Sequence, residues 1–157
     1  MSNVDFSRQV FEKILCFTQA DFQPSVTHKF FMDWALSHFI HERRSLSTFL
    51  MDHQTLGAHT DIIQFQNKMT TTFRWTHPGI RPFGESVVTR QCPNGECNRL
   101  KMVSPTVSRN GMNIRLQCEV CHEEATYTFP TDWAWVDGAP VKGDHGQGAW
   151  LVHKESH

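Results

Sequence analysis

The amino-acid sequence predicts an α+β protein, an N-terminal helical unit followed by a small antiparallel β module. Three observations carry that expectation. Before Ile62 apolar residues recur at helical spacing, after it they alternate with polar ones, and the later half holds two close pairs of cysteines, Cys92 with Cys97 and Cys118 with Cys121.

Composition sets the frame. A chain of 157 residues with 39% hydrophobic and 20% charged residues is apolar enough to bury a core without disulfides and too interrupted by polar residues to span a membrane. The formal net charge of −1 gives no whole-molecule attraction to polyanions, so a phosphate-binding surface has to be local. Residues 81–129 lean basic, with Arg81, Arg90, Arg99, Lys101, Arg109 and Arg115 against five acids. Met1 to Val10 has no basic segment leading into an apolar run, which makes an intracellular location with reduced thiols the expectation.

In chain order, Phe6, Val10, Phe11, Ile14, Leu15 and Phe17 approach an i, i+3, i+4, i+7 pattern and predict a helix over Asn3 to Thr18. Cys16 lies in its last turns and reads as a small buried hydrophobe. Pro24 is expected to stop that helix, and Ser25 or Thr27 to cap the next. The second helix runs from about Val26 to about Arg43 and buries Phe30, Phe31, Trp34, Ala35 and Phe39, with Trp34 the largest core residue. A short third helix, from Leu46 to about Gln54, buries Leu46, Phe49 and Leu50 and stops before Gly57.

Six histidines fall in this half: His28, His38, His41, His53, His59 and His77. His38 and His41 share a helix face with Glu42 beside them, a weak pattern for a second metal, and His-Glu-x-x-His is absent. Asp52-His53 and His59-Thr60-Asp61 offer the parts of a general-base dyad. No Gly-x-Ser-x-Gly turn accompanies them, so the hydrolase or metalloenzyme reading of His53, His59 or His77 needs a pocket that brings one of them to a carboxylate.

From Ile62 the period changes. Ile63 and Phe65, then Phe73 and Trp75, alternate around a β-branched Thr70-Thr71-Thr72, predicting two strands joined near Asn67, although Ile62 to Gln66 also fits a helix continued from Thr60. His77 to Gly84 is rich in Pro and Gly and reads as a loop or linker, more an ordered surface loop than a free tether because aromatic residues flank it.

Val87, Val88 and Thr89 predict a short strand that delivers the chain to Cys92. Pro93 and Asn94-Gly95 suit a tight curl that turns Cys92 and Cys97 inward. Strands are expected over Leu100 to Val107 and Met112 to Gln117, with Arg109-Asn110-Gly111 as the hairpin turn, and a third over Ala125 to Phe129 after the second thiol turn. Two thiol turns about twenty residues apart point to one tetrahedral Zn²⁺ held by Cys92, Cys97, Cys118 and Cys121. Four thiolates leave the ion no open position, so the zinc is expected to be structural.

The order of thiol turn, hairpin, thiol turn and strand resembles the zinc-ribbon class of Cys₄ modules over residues 85–130. Ribbons usually separate the cysteines of each pair by two residues. Here the first pair is separated by four, and His122 is an alternative ligand to Cys121. The resemblance implies an architecture more than an activity, since such modules bind DNA, RNA or protein or support an enzyme. The expected organisation is a helical unit with a terminal hairpin over 1–76, a loop or linker over 77–84, a Cys₄ zinc ribbon over 85–136, and a flexible Gly-rich loop and tail over 137–157. Within that tail Trp150 to Val152 adds a short last strand, after which the chain is expected to fray.

The favoured function is recognition of nucleic acid. Arg90, Arg99, Lys101, Arg109 and Arg115 on or beside the ribbon would meet phosphate, and Tyr127 or a nearby tryptophan would stack on bases. Acids at Glu96, Glu119, Glu123 and Glu124 offset that charge. The alternative partner is another protein, met through Trp133, Trp135 and Trp150. Trp133 and Trp135 also read simply as packing against the helices.

Overall fold

The computed structural model describes residues 12–19, 24–40, 45–85, 92, 94, 97, 102–136 and 148–156. Among these, strands form two antiparallel sheets, and helices cover one face of the larger sheet. No helix of the described residues is long and apolar enough to cross a membrane.

The larger sheet has the order β1-β2-β3-β8-β7, from β1 (Ile14–Phe17), β2 (Ile62–Gln66), β3 (Met69–Thr76), β7 (Ala134–Trp135) and β8 (Ala149–Ser156). β2 and β3 form the hairpin expected near Asn67, closed by two residues of positive φ, Asn67 at 51° and Lys68 at 59°. Two left-handed residues in a two-residue loop match the right-handed twist of the flanking strands. Ile62 to Gln66 is therefore strand and not a prolonged helix.

Expectations about both ends of the chain are corrected by the sheet. Ile14 to Phe17 is a strand where helical spacing predicted the end of a helix, and the earlier part of that predicted helix lies outside the described residues. Leu15 and Phe17, two apart, reach the core together, and β1 pairs in register with β2 from Ile14 opposite Phe65 to Phe17 opposite Ile62. So short an apolar run satisfies both periods, and the partner strand decides. The second correction concerns the expected tail. β8 continues to Ser156 and pairs with β3 along its whole length, from Thr76 opposite Ala149 to Met69 opposite Ser156.

Helix α1 (Pro24–Phe39) opens on Pro24 itself. Proline suits a first helical position because the missing N–H has no partner there, so Pro24 starts this helix and does not stop an earlier one. Ser45 caps α2 (Leu46–Leu50), its Oγ accepting from the Thr48 N–H at 3.2 Å, and α3 (Gln54–Gly57) follows after a short break. Phe30, Leu46, Phe49, Leu50 and Leu56 from these helices meet Ile62, Phe73, Trp75 and Trp150 from the sheet. Trp150 is the largest fully buried side chain among the described residues, and its Nε1–H donates to Leu50 O at 2.7 Å. Trp34 is half-buried at the margin, and Phe39, expected inside, is exposed.

The smaller sheet contains β4 (Met102–Val107), β5 (Asn113–Cys118) and β6 (Glu124–Thr128) in that order. Its register shifts between Val103 and Thr106, where Pro105 has no N–H to give the ladder. Gly111, with φ 70°, makes the β4–β5 turn at the expected Arg109-Asn110-Gly111, and the Asn110 carboxamide oxygen accepts from Ser108 Oγ and the Met112 N–H. Strict alternation sends Ile114, Leu116 and Cys118 inward and Asn113, Arg115 and Gln117 outward.

A second core joins the inward face of this sheet to the larger one. Ile114, Leu116 and Phe129 pack with Phe83 and Leu151, flanked by Tyr127, Trp133 and Trp135. Residues 77–84 fill the junction as an ordered plug. His77 and Arg81 exchange two backbone hydrogen bonds at 3.0 and 2.9 Å, and Pro82 to Gly84 is a buried 3-10 turn. Gly84 has φ 80°, and a Cβ there would stand 1.9 Å from Arg74 Cδ, so both backbone and space demand glycine.

β8 serves both cores, because successive side chains of a strand leave opposite faces. Trp150 enters the first core and Leu151 the second. Truncation after Gly148 is accordingly expected to abolish cooperative thermal unfolding and the dispersed amide spectrum of the full chain. A shortened chain that still melts cooperatively would show that β8 is an accessory strand.

Candidate metal centre

The four paired cysteines come together at one end of the smaller sheet. Cys118 is the last residue of β5 and continues the inward row of Ile114 and Leu116, and the sulfurs of Cys92, Cys97 and Cys121 gather around it. All four sulfurs lie within 4.8 Å of one another, with Cys92 and Cys118 buried and Cys97 and Cys121 half-buried. Cys92 Sγ is 3.2 Å from Cys121 Sγ, and Cys97 Sγ is 3.7 Å from Cys118 Sγ. A disulfide would bring two of them to about 2.05 Å, whereas a tetrahedron with metal–sulfur bonds of about 2.3 Å has edges of about 3.8 Å. The donor set fits a four-thiolate metal ion. His122, the alternative ligand, stands outside the group with its side chain exposed.

Local backbone explains the convergence. In the second turn the N–H groups of Cys121 and Val120 point at Cys118 Sγ, and they hold that thiol down to about 6. His122 leaves the turn at φ 61°, its N–H bonded to Cys118 O at 3.1 Å. In the first turn the Asn94 N–H reaches Cys92 Sγ while Asn94 O accepts from the Cys97 N–H at 3.0 Å. Burial nevertheless pushes Cys92 up to about 12, with the neighbouring thiols adding to the rise. Hydrogen bonding to Cys121 raises Cys97, and burial adds to it. A cation entering among thiols held up in this way, Cys92 and Cys97, would displace protons as it binds. These amide contacts were invisible in the sequence apart from the Asn94-Gly95 turn signal.

The remaining sequence-derived candidates are dispersed. Arg115 lies on the outward face of β5, 3.4 Å from Glu124 Oε2, and Arg109 is exposed at the hairpin turn. Tyr127 is opposite Ile114 in the ladder and so shares the inward face, where it is half-buried against the second core. Arg115 and Tyr127 are thus on opposite faces. Arg90, Arg99 and Lys101 lie outside the described residues. The tryptophans do not form one slot either, because Trp150 belongs to the first core while Trp133 and Trp135 pack on the second, away from the helices. Trp133 stacks on His153 with the Arg74 guanidinium 4.4 Å above its ring.

Of the candidate histidines, His53 stands near a carboxylate, with Nε2 3.7 Å from Asp33 Oδ2, and the others make different contacts. His38 stacks on Trp34, His59 is exposed, and His77 stacks on Trp75 while accepting the Gly79 N–H at 3.1 Å. His41 and Glu42 lie outside the described residues. Asp61, read as a partner for His59, is buried and bridges Arg74 Nε at 2.8 Å and Arg81 Nη2 at 2.7 Å. Arg81 also donates to Gly57 O at 2.9 Å, so this ion triad ties the residue 77–84 plug to α3 and β3. Nothing in the spacing of Asp61, Arg74 and Arg81 announced it.

His53 packs between Phe30 and Phe49, with Nε2 3.7 Å from Asp33. Burial lowers its pKa, outweighing the upward pull of Asp33. The neutral ring is the form that folding favours, so its stabilising contribution is complete above the ordinary value of about 6.5 and is lost as pH falls through the lowered folded-state value. Thermal midpoints measured from pH 7.5 downward are expected to fall less steeply in His53→Gln than in the parent. An identical slope in the two would mean that His53 does not carry the effect.

At the metal site, elemental analysis of the full chain is expected to find one ion per chain. Cys118→Ser is expected to lose it and to lower the melting temperature by roughly 10 °C or more, because metal affinity is part of the folding free energy. A metal-free parent, or a variant of unchanged stability, would count against the site. No protein-family model, no curated protein and no solved structure matches the chain.

Proposed function

We propose that the chain is a zinc-stabilised recognition module, in which one structural Zn²⁺ braces the β4–β6 sheet as a zinc ribbon and the outward face of that sheet meets nucleic acid. The observation that carries the reading is the closed donor set. Four cysteine sulfurs within 4.8 Å occupy every position of a tetrahedral ion, which leaves none for activating water and suits the metal to holding a surface. Free thiols are the state this chemistry needs, which favours a reducing, intracellular compartment.

The surface so held is polar. Asn113, Arg115 and Gln117 project together from β5, and Arg109 stands at the end of the hairpin. Guanidinium and carboxamide donors on a stiff strand suit phosphate oxygens and base edges. Glu124 accepts from Arg115 at 3.4 Å and from Gln117 at 3.2 Å, so phosphate would take over donors that a carboxylate now occupies. Arg90, Arg99 and Lys101 extend the same proposal along the chain.

Phosphate contacts make affinity steeply salt-dependent. Fluorescence anisotropy with labelled mixed-sequence RNA and DNA is expected to show binding at about 50 mM salt that weakens at least tenfold by about 200 mM. The double variant Arg109→Glu/Arg115→Glu is expected to bind roughly tenfold or more weakly at the lower salt while keeping its zinc. No binding at low salt, or binding indifferent to salt, removes nucleic acid as the partner.

A further inference from the structure

Helix α1 is apolar on the side that faces away from the protein's own core. With 3.6 residues per turn, Phe30 and Trp34 mark the inward side, and Met32, Leu36 and Phe39 come round to the opposite one with Ile40 at its flank. Met32 is 51% exposed, Leu36 43%, Phe39 82% and Ile40 65%. One exposed leucine needs no explanation, but four apolar side chains at i, i+4, i+7 and i+8 make a contiguous stripe. A surface helix ordinarily keeps polar residues on the side away from the core, and this side of α1 carries apolar ones instead.

We propose that α1 forms the interface of a homodimer, its outer stripe packed against the same stripe of a second copy. The area suits that occupant. Exposed to this degree, the four side chains present on the order of 400–500 Å² of apolar surface, so burying them on two copies removes about 800–1,000 Å², which a polar rim brings into the range of a small specific interface. The spacing of the stripe also suits pairing with its own copy. Ridges at four-residue spacing fit the matching grooves of an identical helix about a two-fold axis, and Ala35 beside Phe39 leaves room for close approach. Charge does not oppose the pairing. The stripe carries none, the flanking Lys29 and Asp33 are paired with each other, and the net charge of each copy is −1.

Sedimentation velocity on the full, zinc-loaded chain in reductant tests this over about 1 to 100 µM. The expected result is a concentration-dependent shift from 18.2 kDa to twice that mass, with dissociation at least tenfold more favourable in Leu36→Glu/Phe39→Glu. Met32→Lys, one turn earlier on the same face, gives an independent variant should the double change impair folding, and circular dichroism checks each. A parent that stays monomeric throughout the range overturns the proposal and leaves the stripe to a different protein or to other residues of the chain. A dimer that neither variant weakens overturns it equally, by placing the interface elsewhere.

Discussion

The alternation of Trp150 and Leu151 along β8 is the constraint on which the rest of the structure depends. A strand must send neighbouring side chains to opposite faces. In β8 one of those faces is the floor of the helical core and the other is the roof of the core beneath the smaller sheet. β7 repeats the device, with Val136 just beyond it in the first core and Trp135 beside the second. The two hydrophobic clusters therefore share a wall one strand thick, and a one-residue slip of β8 against β3 would exchange the contents of both.

The plug at residues 77–84 and the Asp61 ion triad make sense against that wall. Phe83 fills the second core from one side while Arg81 reaches back to Asp61 and Gly57 on the other. A buried carboxylate is costly unless paired, and here two guanidinium groups satisfy both of its oxygens. The cysteine cluster works on a different principle. It lies at the end of the smaller sheet, where apolar packing stops at Leu116 and Cys118 continues the inward row in sulfur. Hydrophobic burial holds one end of that sheet, and the four thiols gather the other.

Much of this was legible in the residues, and the reasons for the exceptions are physical. The β2–β3 hairpin, the β4–β5–β6 order and the cysteine group each rest on signals within a few residues, namely alternation, turn chemistry and thiol spacing. What misled was any feature settled by a distant partner. Ile14 to Phe17 fits helix or strand until β2 is present beside it. Trp150 to Ser156 looks like a tail until β3 supplies its hydrogen bonds. Periodicity also failed on α1, since a helix apolar on both faces does not say which one is turned inward, and Phe39 was assigned to the wrong side. In the site, the sulfurs were readable and their amide donors were not, because a backbone N–H has no letter of its own.

The shared wall also bears on when the chain can fold during its synthesis. Cys92 and Cys121 are separated by 29 positions, so the four thiols can gather while translation continues, although the core beneath their sheet still waits for Leu151. Leu50 and Trp150, joined by the indole hydrogen bond, are 100 positions apart. The helical core stands open until residues 149–156 have left the ribosome, and its exposed Phe and Leu side chains would meanwhile be targets for chaperones. The thiols that can gather early lie in the chain between β3 and β8, and their gathering would shorten the path between the two strands while β3 waits for its partner.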